Sequence, residues 1–243
     1  MTGKKKLAEW ILCAATFASG IVYAQTRPAT NPPAELRLRI VSSLPGKHRA
    51  VPAIIWLEPL AGTPDLPFPS HVRYSLVQKN RTFIPHLQVI PAGSVVEFPN
   101  EDPFFHNVFS LFEGKRFDLG LYEAGSSKSV TFSKAGVSYI FCNIHPEMSA
   151  VVIAVSTPLY AMADKKDSVL LRGIPPGNYK LHVWIEGVSQ SFLESLGRPV
   201  HISNHPVDLG VLKAPIAGVT TMPHSNMYGQ EYAPGSESPY SPN

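Results

Sequence analysis

The sequence predicts an all-β protein, on three observations. Short apolar runs recur along most of the chain, several with the two-residue alternation of a half-buried strand. Turn-forming residues separate these runs, and the 243 residues include 24 Pro and 17 Gly. Hydrophobic residues make up 44% of the chain and charged residues only 16%, so a sizeable core can form. Many short strands divided by turns are typical of a β-sandwich or barrel.

The first predicted strand shows the alternation most clearly. Leu36, Leu38 and Ile40 occupy every second position and are separated mainly by arginine. Further apolar or β-rich runs follow as far as residue 155, with Gly, Pro or polar residues between them. They are residues 51–57, 76–83, 86–90, 94–98, 108–111, 129–132, 137–141 and 150–155. We expect these runs to form the sheets of a first domain over residues 34–156.

A second, smaller unit is predicted after Ser156-Thr157-Pro158. Two apolar runs, residues 169–174 and 179–185, flank Pro175-Pro176-Gly177 and resemble a hairpin, and a third run covers residues 207–212. We expect a small second β-sandwich over residues 157–213. Residues 214–243 are rich in Pro, Ser, Gly and Tyr without apolar periodicity, so we predict a disordered tail.

The N-terminus has the pattern of an export signal. Three lysines, Lys4 to Lys6, precede an apolar stretch that is short for a membrane span, and Val22-Tyr23-Ala24 suits a cleavage site. We expect a signal peptide over residues 1–24 and a polar, Pro-rich linker over residues 25–33. The mature chain would then be exported to the periplasm, with no membrane span left after cleavage.

Cleavage would change both the charge and the cysteine content. Three Lys and one Glu leave with the signal, so the net charge falls from +3 to +1. No basic stripe remains to indicate nucleic-acid binding. Cys13 also leaves, and the one remaining cysteine, Cys142, cannot form an internal disulfide. A thiolate held by a metal is a good reason to keep a single thiol in an oxidising compartment.

The stretch CNIHPEM, residues 142–148, concentrates metal-binding chemistry. It supplies the thiol of Cys142, the imidazole of His145 and the thioether of Met148 in a loop between two predicted strands. His106 follows the end of another predicted strand, and two such strand ends can lie at the same pole of a sandwich. One Cys, two His and a weak axial Met form the ligand set of a blue-copper electron-transfer site. We therefore predict one type 1 copper per chain, held by these four residues.

Neighbouring residues are expected to support this site. Asn107 follows His106, and its backbone N–H or side chain is placed to hydrogen-bond the thiolate sulfur. Pro146 follows His145 and has no N–H to donate toward the sulfur. Phe104 and Phe105 are candidates for an apolar, water-excluding rim and for a docking surface, although core burial is an equal alternative for at least one of them.

The motifs of residues 78–155 resemble a cupredoxin of the plastocyanin/amicyanin type. They are F-x-P at Phe83, P-A-G at Pro91, V-x-F-x-N at Val96, H-N at His106, A-G at Ala135 and Y-x-F-C-x-x-H-P-x-M at Tyr139. The resemblance implies a Greek-key β-sandwich. Residues 36–185 as a whole resemble exported proteins labelled methylamine-utilization-like, and residues 171–184 resemble a non-catalytic carboxypeptidase-regulatory or transthyretin-like module.

These patterns favour one-electron transfer to or from a periplasmic redox partner, a cytochrome c or a dehydrogenase. In the cupredoxin fold His145 would be the ligand nearest the solvent and hence the electron exit. We do not expect an enzyme, because Met148 fills the axial position and the sequence offers no second His-rich cluster. The alternatives are a copper-binding or delivery protein and a non-redox β-sandwich binding module.

Overall fold

The computed structural model describes residues 34–42, 50–63, 66–68, 72–111, 114–216, 226 and 228–230. The predicted signal peptide (1–24), the linker (25–33) and most of the predicted tail (214–243) lie outside the described residues. In the described part of the chain, seventeen strands and one short helix form. Within it, no helix has the length and apolar character that crossing a bilayer requires.

The elements are numbered in chain order. They are β1 (Ala34–Ser42), β2 (Ala53–Pro59), β3 (Arg73–Ser75), β4 (Val77–Lys79), β5 (Thr82–Ile84), β6 (Leu87–Pro91), β7 (Ser94–Pro99), β8 (His106–Ser110), β9 (Phe117–Tyr122), β10 (Ser127–Phe132), β11 (Gly136–Phe141), β12 (Ser149–Val155), β13 (Tyr160–Met162), β14 (Ser168–Ile174), β15 (Gly177–Ile185), α1 (Gln190–Leu196), β16 (Arg198–Ile202) and β17 (Val207–Ala214).

The prediction of an all-β sandwich is confirmed. A five-stranded sheet has the order β6-β12-β11-β8-β9, and a three-stranded sheet has the order β10-β7-β3. Side chains from both sheets, such as Phe98, Phe132, Ile140 and Val152, form one buried apolar cluster between them. The short hairpin β4–β5 lies outside these two sheets in the pairing. Its Phe83 belongs to the same cluster.

A second cluster involves two further sheets, β14-β1-β17 and β13-β2-β15-β16. Leu36, Leu38 and Ile40 of β1 are buried in it, as their alternation predicts, while Arg37 and Arg39 are exposed. The strand partners of β1 and β2 are β13, β14, β15 and β17, which all come after residue 156. The division at residue 156 stays a prediction, but the pairing ties residues 34–59 to strands of the second unit.

The predicted hairpin across Pro175-Pro176-Gly177 is wrong. β14 pairs with β1, whereas β15 pairs with β2 and β16, so the connection crosses from one sheet to another. Tyr179 is buried and its hydroxyl donates to the Pro175 carbonyl at 2.9 Å, which fixes this crossing. Apolar alternation indicates a strand and its buried face, but it does not name the strand's partner.

Strand β12 is buried on both faces and joins the two clusters. Ala150, Val152 and Ala154 contribute to the cluster of the first sandwich. Val151, Ile153 and Val155 contribute to the other cluster. A continuous apolar run such as that of β12 is expected when neither face meets water. The back of the five-stranded sheet is therefore covered by the second pair of sheets.

We expect Ile153→Ala to lower the free energy of unfolding by about 2–5 kcal/mol, because Ile153 is fully buried and its loss leaves a cavity. Leu121→Ala on β9 is the control, since Leu121 is 57% exposed and its truncation should cost at most about 0.5 kcal/mol. Denaturant titration measures both values. Equal losses in the two variants would contradict the packing of β12 against the second pair of sheets.

Candidate metal centre

Strand pairing brings the predicted ligands together at one end of the five-stranded sheet. β11 lies between β12 and β8, with Phe141 opposite Ser149 on one side and Phe109 on the other. Cys142 directly follows β11, and His106 opens β8, so the adjacent strands deliver both side chains to the same end of the sheet. His145 lies in the loop between β11 and β12.

The ligand atoms of His106, Cys142 and His145 all lie within 4.8 Å of one another. The Cys142 Sγ atom is 3.7 Å from Nδ1 of His106 and 3.5 Å from Nδ1 of His145. A sulfur and a nitrogen bound to one trigonal ion at about 2.3 and 2.0 Å stand about 3.7 Å apart. The distances to sulfur therefore fit a shared metal ion. Among the described residues, these three form the one such group of His, Cys, Asp or Glu side chains.

The loop that carries Cys142 and His145 is closed by its own backbone. The Cys142 N–H donates to the Met148 carbonyl at 3.2 Å, and the Met148 N–H donates to the His145 carbonyl at 3.0 Å. Met148 is 1% exposed and belongs to the same buried cluster as Cys142. Its role as axial ligand stays a prediction. The loop is a tight, hydrogen-bonded turn that restrains the position of its side chains.

Asp102 orients His106. Its Oδ2 atom accepts a hydrogen bond from Nε2 of His106 at 2.8 Å, in a contact where both side chains are buried. A carboxylate only accepts, so the proton of the neutral imidazole lies on Nε2 and the Nδ1 lone pair faces Cys142. Asp102 also accepts from the backbone N–H groups of Asn80 at 2.6 Å and Arg81 at 2.9 Å. Burial raises the pKa of Asp102, but these hydrogen bonds outweigh it and leave the pKa below its ordinary value.

Asn107 connects strand β8 to the ligand loop. Its Oδ1 atom accepts from the Asn143 N–H at 3.3 Å, and its side-chain amide donates to Asp118 on β9 at 2.7 Å. The amide is thus held in one orientation, with its oxygen toward the loop. The backbone N–H of Asn107 also acts on the Cys142 sulfur, and so do those of Ile144 and His145. Tuning of the sulfur by Asn107 stays a prediction.

The ionisable ligands have shifted proton affinities in the metal-free chain. Burial raises the pKa of the Cys142 thiol above its ordinary value, although the three backbone N–H groups oppose the shift. Burial, and then the neighbouring His106, lower the pKa of His145 to about 4. Burial also lowers the pKa of His106, against the opposing effect of Asp102. Both imidazoles are therefore neutral at pH 7, as metal ligation requires.

The other predicted residues, Phe104, Phe105 and Pro146, differ in how far they are buried. Phe104 is partly buried, and its ring centroid lies 5.2 Å from that of His106 and 5.7 Å from that of His145. Phe105 is 43% exposed, and Pro146 is exposed. Phe105 thus has the accessibility of a docking residue, whereas Phe104 packs against the ligands. Their part in docking stays a prediction.

Three residues near the ligands were not identified from the sequence: Asp102, Asp118 and Arg81. Asp102 precedes His106 by four positions in the stretch NEDPFFH, and that spacing is the one signal that was open to sequence reasoning. Asp118 and Arg81 reach the site through strand pairing and a hairpin turn. Their sequence neighbours give no indication of it.

No family model matches the sequence, and no curated protein matches it. The similar solved structures include a purple cupredoxin from Nitrosopumilus maritimus, at 23% identity and a TM-score of 0.31 over 35% of this chain and 99% of that chain. A reduced amicyanin variant aligns at 20% identity and a TM-score of 0.32, over 34% of this chain and 82% of the other. A copper-containing nitrite reductase from Thermus scotoductus SA-01 aligns at 26% identity and a TM-score of 0.33, over 40% of this chain and 25% of that chain.

The structural neighbours are thus cupredoxins, aligned over about a third of this chain. The narrower resemblance to the methylamine-utilization-like group and the identity of the C-terminal module stay predictions. The inference of a metal centre rests on the distances and burial within this chain.

We expect the metal-free protein to lose stability as the pH falls from 7 to 5. The unfolded chain protonates His145 near pH 6.5, whereas the folded chain does so only near pH 4, so acid favours the unfolded state across that window. The contribution of His145 should be about 2 kcal/mol at pH 5 relative to pH 7. Denaturant titrations at both pH values, on the parent and on His145→Leu, measure it. An equal pH-dependent loss in the two proteins would contradict a buried, neutral His145.

Proposed function

We propose that the chain is an exported type 1 copper protein that transfers one electron to or from a periplasmic redox partner. The observation that carries this proposal is the convergence of one thiol and two imidazoles, all buried, with ligand atoms within 4.8 Å. One copper per chain would be held by His106, Cys142 and His145, with Met148 as the weak axial ligand. The partner would be a cytochrome c or a dehydrogenase.

The donor set fits copper in particular. A thiolate with two imidazoles and a weak thioether is the ligand set of blue-copper sites, whereas hard cations prefer oxygen ligands. A bound copper ion would supply a one-electron couple between Cu(I) and Cu(II). The chain would have to hold both oxidation states with little rearrangement, and the closed loop of residues 142–148 restrains three of the four ligands.

The surrounding residues have separable tasks in this proposal. Asp102 keeps the Nδ1 lone pair of His106 directed at the site. Asn107 ties the ligand loop to β8 and places its backbone N–H at the sulfur. Phe104 packs on both imidazoles and would help to exclude water from them. Together they set the geometry and the polarity around the sulfur, which tune a reduction potential.

A carrier is favoured over an enzyme by Met148. This side chain is 1% exposed and belongs to the apolar cluster that contains Cys142. Axial ligation by Met148 would leave no position at which a substrate could bind the metal. Export is supported by the signal-like pattern of residues 1–24 and by the retention of a single cysteine after cleavage.

Titration of the metal-free protein with Cu(II) should produce an intense blue colour that saturates at about one equivalent per chain. The colour arises from charge transfer between the thiolate and copper, so Cys142→Ser should abolish it. His201→Gln is the matched control, because His201 is an exposed histidine bound to Asn178 on β15. It should leave the colour unchanged.

The coloured protein should also undergo a reversible one-electron reduction in voltammetry, with the colour lost and regained. A parent protein that binds Cu(II) without the colour would contradict the type 1 assignment. A stoichiometry well above one, with copper readily passed to a chelator, would favour delivery over electron transfer.

A further inference from the structure

The outer nitrogen of His145 is buried. The residue is 6% exposed, and Nε2 has no hydrogen-bond partner although it lies away from the surface. A buried polar atom without a partner is unfavourable, so the surrounding packing has to enforce this arrangement. The resemblance to cupredoxins implies that this imidazole is the ligand nearest the solvent. It is the most exposed of His106, Cys142 and His145, yet it is covered.

The Phe104 ring is part of this cover. It contacts both imidazoles, whose own centroids are 4.8 Å apart, and the three rings are tilted against one another by 55–60°. Phe104 is itself partly exposed, so solvent reaches this residue while its ring packs on the two buried imidazoles. Removing the ring would open a path from the solvent to His145 and to the buried sulfur.

Arg81 holds Phe104 from a separate element. Its guanidinium carbon lies 5.3 Å from the Phe104 ring centroid, within the range of a cation–π contact. Arg81 sits with Asn80 at the turn between β4 and β5, where both residues have positive φ angles of 57° and 54°. The backbone N–H groups of this turn both donate to Asp102, the residue that orients His106. The turn is therefore fastened to the same carboxylate as the ligand.

We propose that Arg81 and Phe104 form a lid over the metal centre, through which a metal ion or any other small molecule must pass to reach Cys142. The lid consists of two side chains on different elements. Arg81 lies on the β4–β5 turn, and Phe104 lies on the segment before β8. Opening it requires that the cation–π contact break and that the Phe104 ring leave the two imidazoles. The lid concerns the site of the proposed copper function, but its closure is a property of the metal-free chain.

The test measures how fast a small neutral thiol reagent modifies Cys142 in the metal-free full chain. A Cys13→Ser background leaves Cys142 as the one thiol. Phe104→Ala should raise the rate about tenfold or more, because local opening limits access to a fully buried sulfur. Arg81→Gln should raise it about two- to fivefold, which corresponds to losing a partly exposed cation–π contact. Rates are normalised to those in denaturant.

Two control variants separate the lid from its surroundings. Phe105→Ala removes the adjacent aromatic side chain, which is 43% exposed. Lys79 lies on the same hairpin as Arg81 and forms an exposed ion pair with Glu101. Lys79→Gln breaks this pair, and exposed ion pairs contribute little to stability. Both should leave the rate within about twofold of the parent. Phe104→Leu keeps much of the side-chain volume and should fall between the parent and Phe104→Ala.

The result that would overturn the lid is an unchanged rate in Phe104→Ala, or an equal rise in Phe105→Ala. Denaturant titration of each variant decides whether global unfolding accounts for a faster reaction, and a rise fully explained in that way would also count against the lid. The copper proposal fails independently, through the absence of colour with Cu(II). Thiol modification contains no metal, so the two failures are distinguishable.

Discussion

The register of the β11–β12 hairpin is the constraint on which the site depends. Phe141 faces Ser149 across the pair, which leaves residues 142–148 as the connecting loop and fixes where Cys142, His145 and Met148 stand. A slip by one residue would turn the alternate faces of β12 over. Because one face is buried in each of the two clusters, such a slip would disrupt both. Core packing on two sides thus holds the ligand loop in place.

In the metal-free site, burial opposes charge on all three side chains that would bind the metal. Burial raises the pKa of the Cys142 thiol and lowers the pKa of both imidazoles, so the chain keeps all three donors neutral at pH 7. Asp102 fixes the tautomer of His106 by accepting its Nε2 proton in a hydrogen bond. The Asp102 carboxylate also accepts hydrogen bonds from two backbone N–H groups. The three donors lie close together and are removed from water, and Nε2 of His106 is bonded to Asp102.

The site residues that lie within short sequence motifs could be predicted. The C-x-x-H-x-x-M spacing and the His-Asn pair identified His106, Cys142 and His145, which the structure brings together. The strand partners could not be predicted, because tertiary packing determines them. β14 pairs with β1, and β15 pairs with β2 as well as with β16. β1 and β2 lie more than a hundred residues earlier, and no pattern within β14 or β15 indicates them. Arg81 reaches Phe104 from a hairpin turn over 20 residues away in sequence, for the same reason.

The second pair of sheets braces the strand that presents the sulfur. Tyr139 of β11 lies three residues before Cys142, and its hydroxyl accepts a hydrogen bond from the Trp184 indole of β15 at 3.2 Å. His86, next to β6, bonds Glu186 just beyond β15 and the Ser149 carbonyl that opens β12. These polar contacts join the two sandwiches around the base of the ligand hairpin. The back of the metal-bearing sheet is therefore fixed by β15, whereas the opposite approach, over His145, depends on two side chains, and motion at the site is expected on that side.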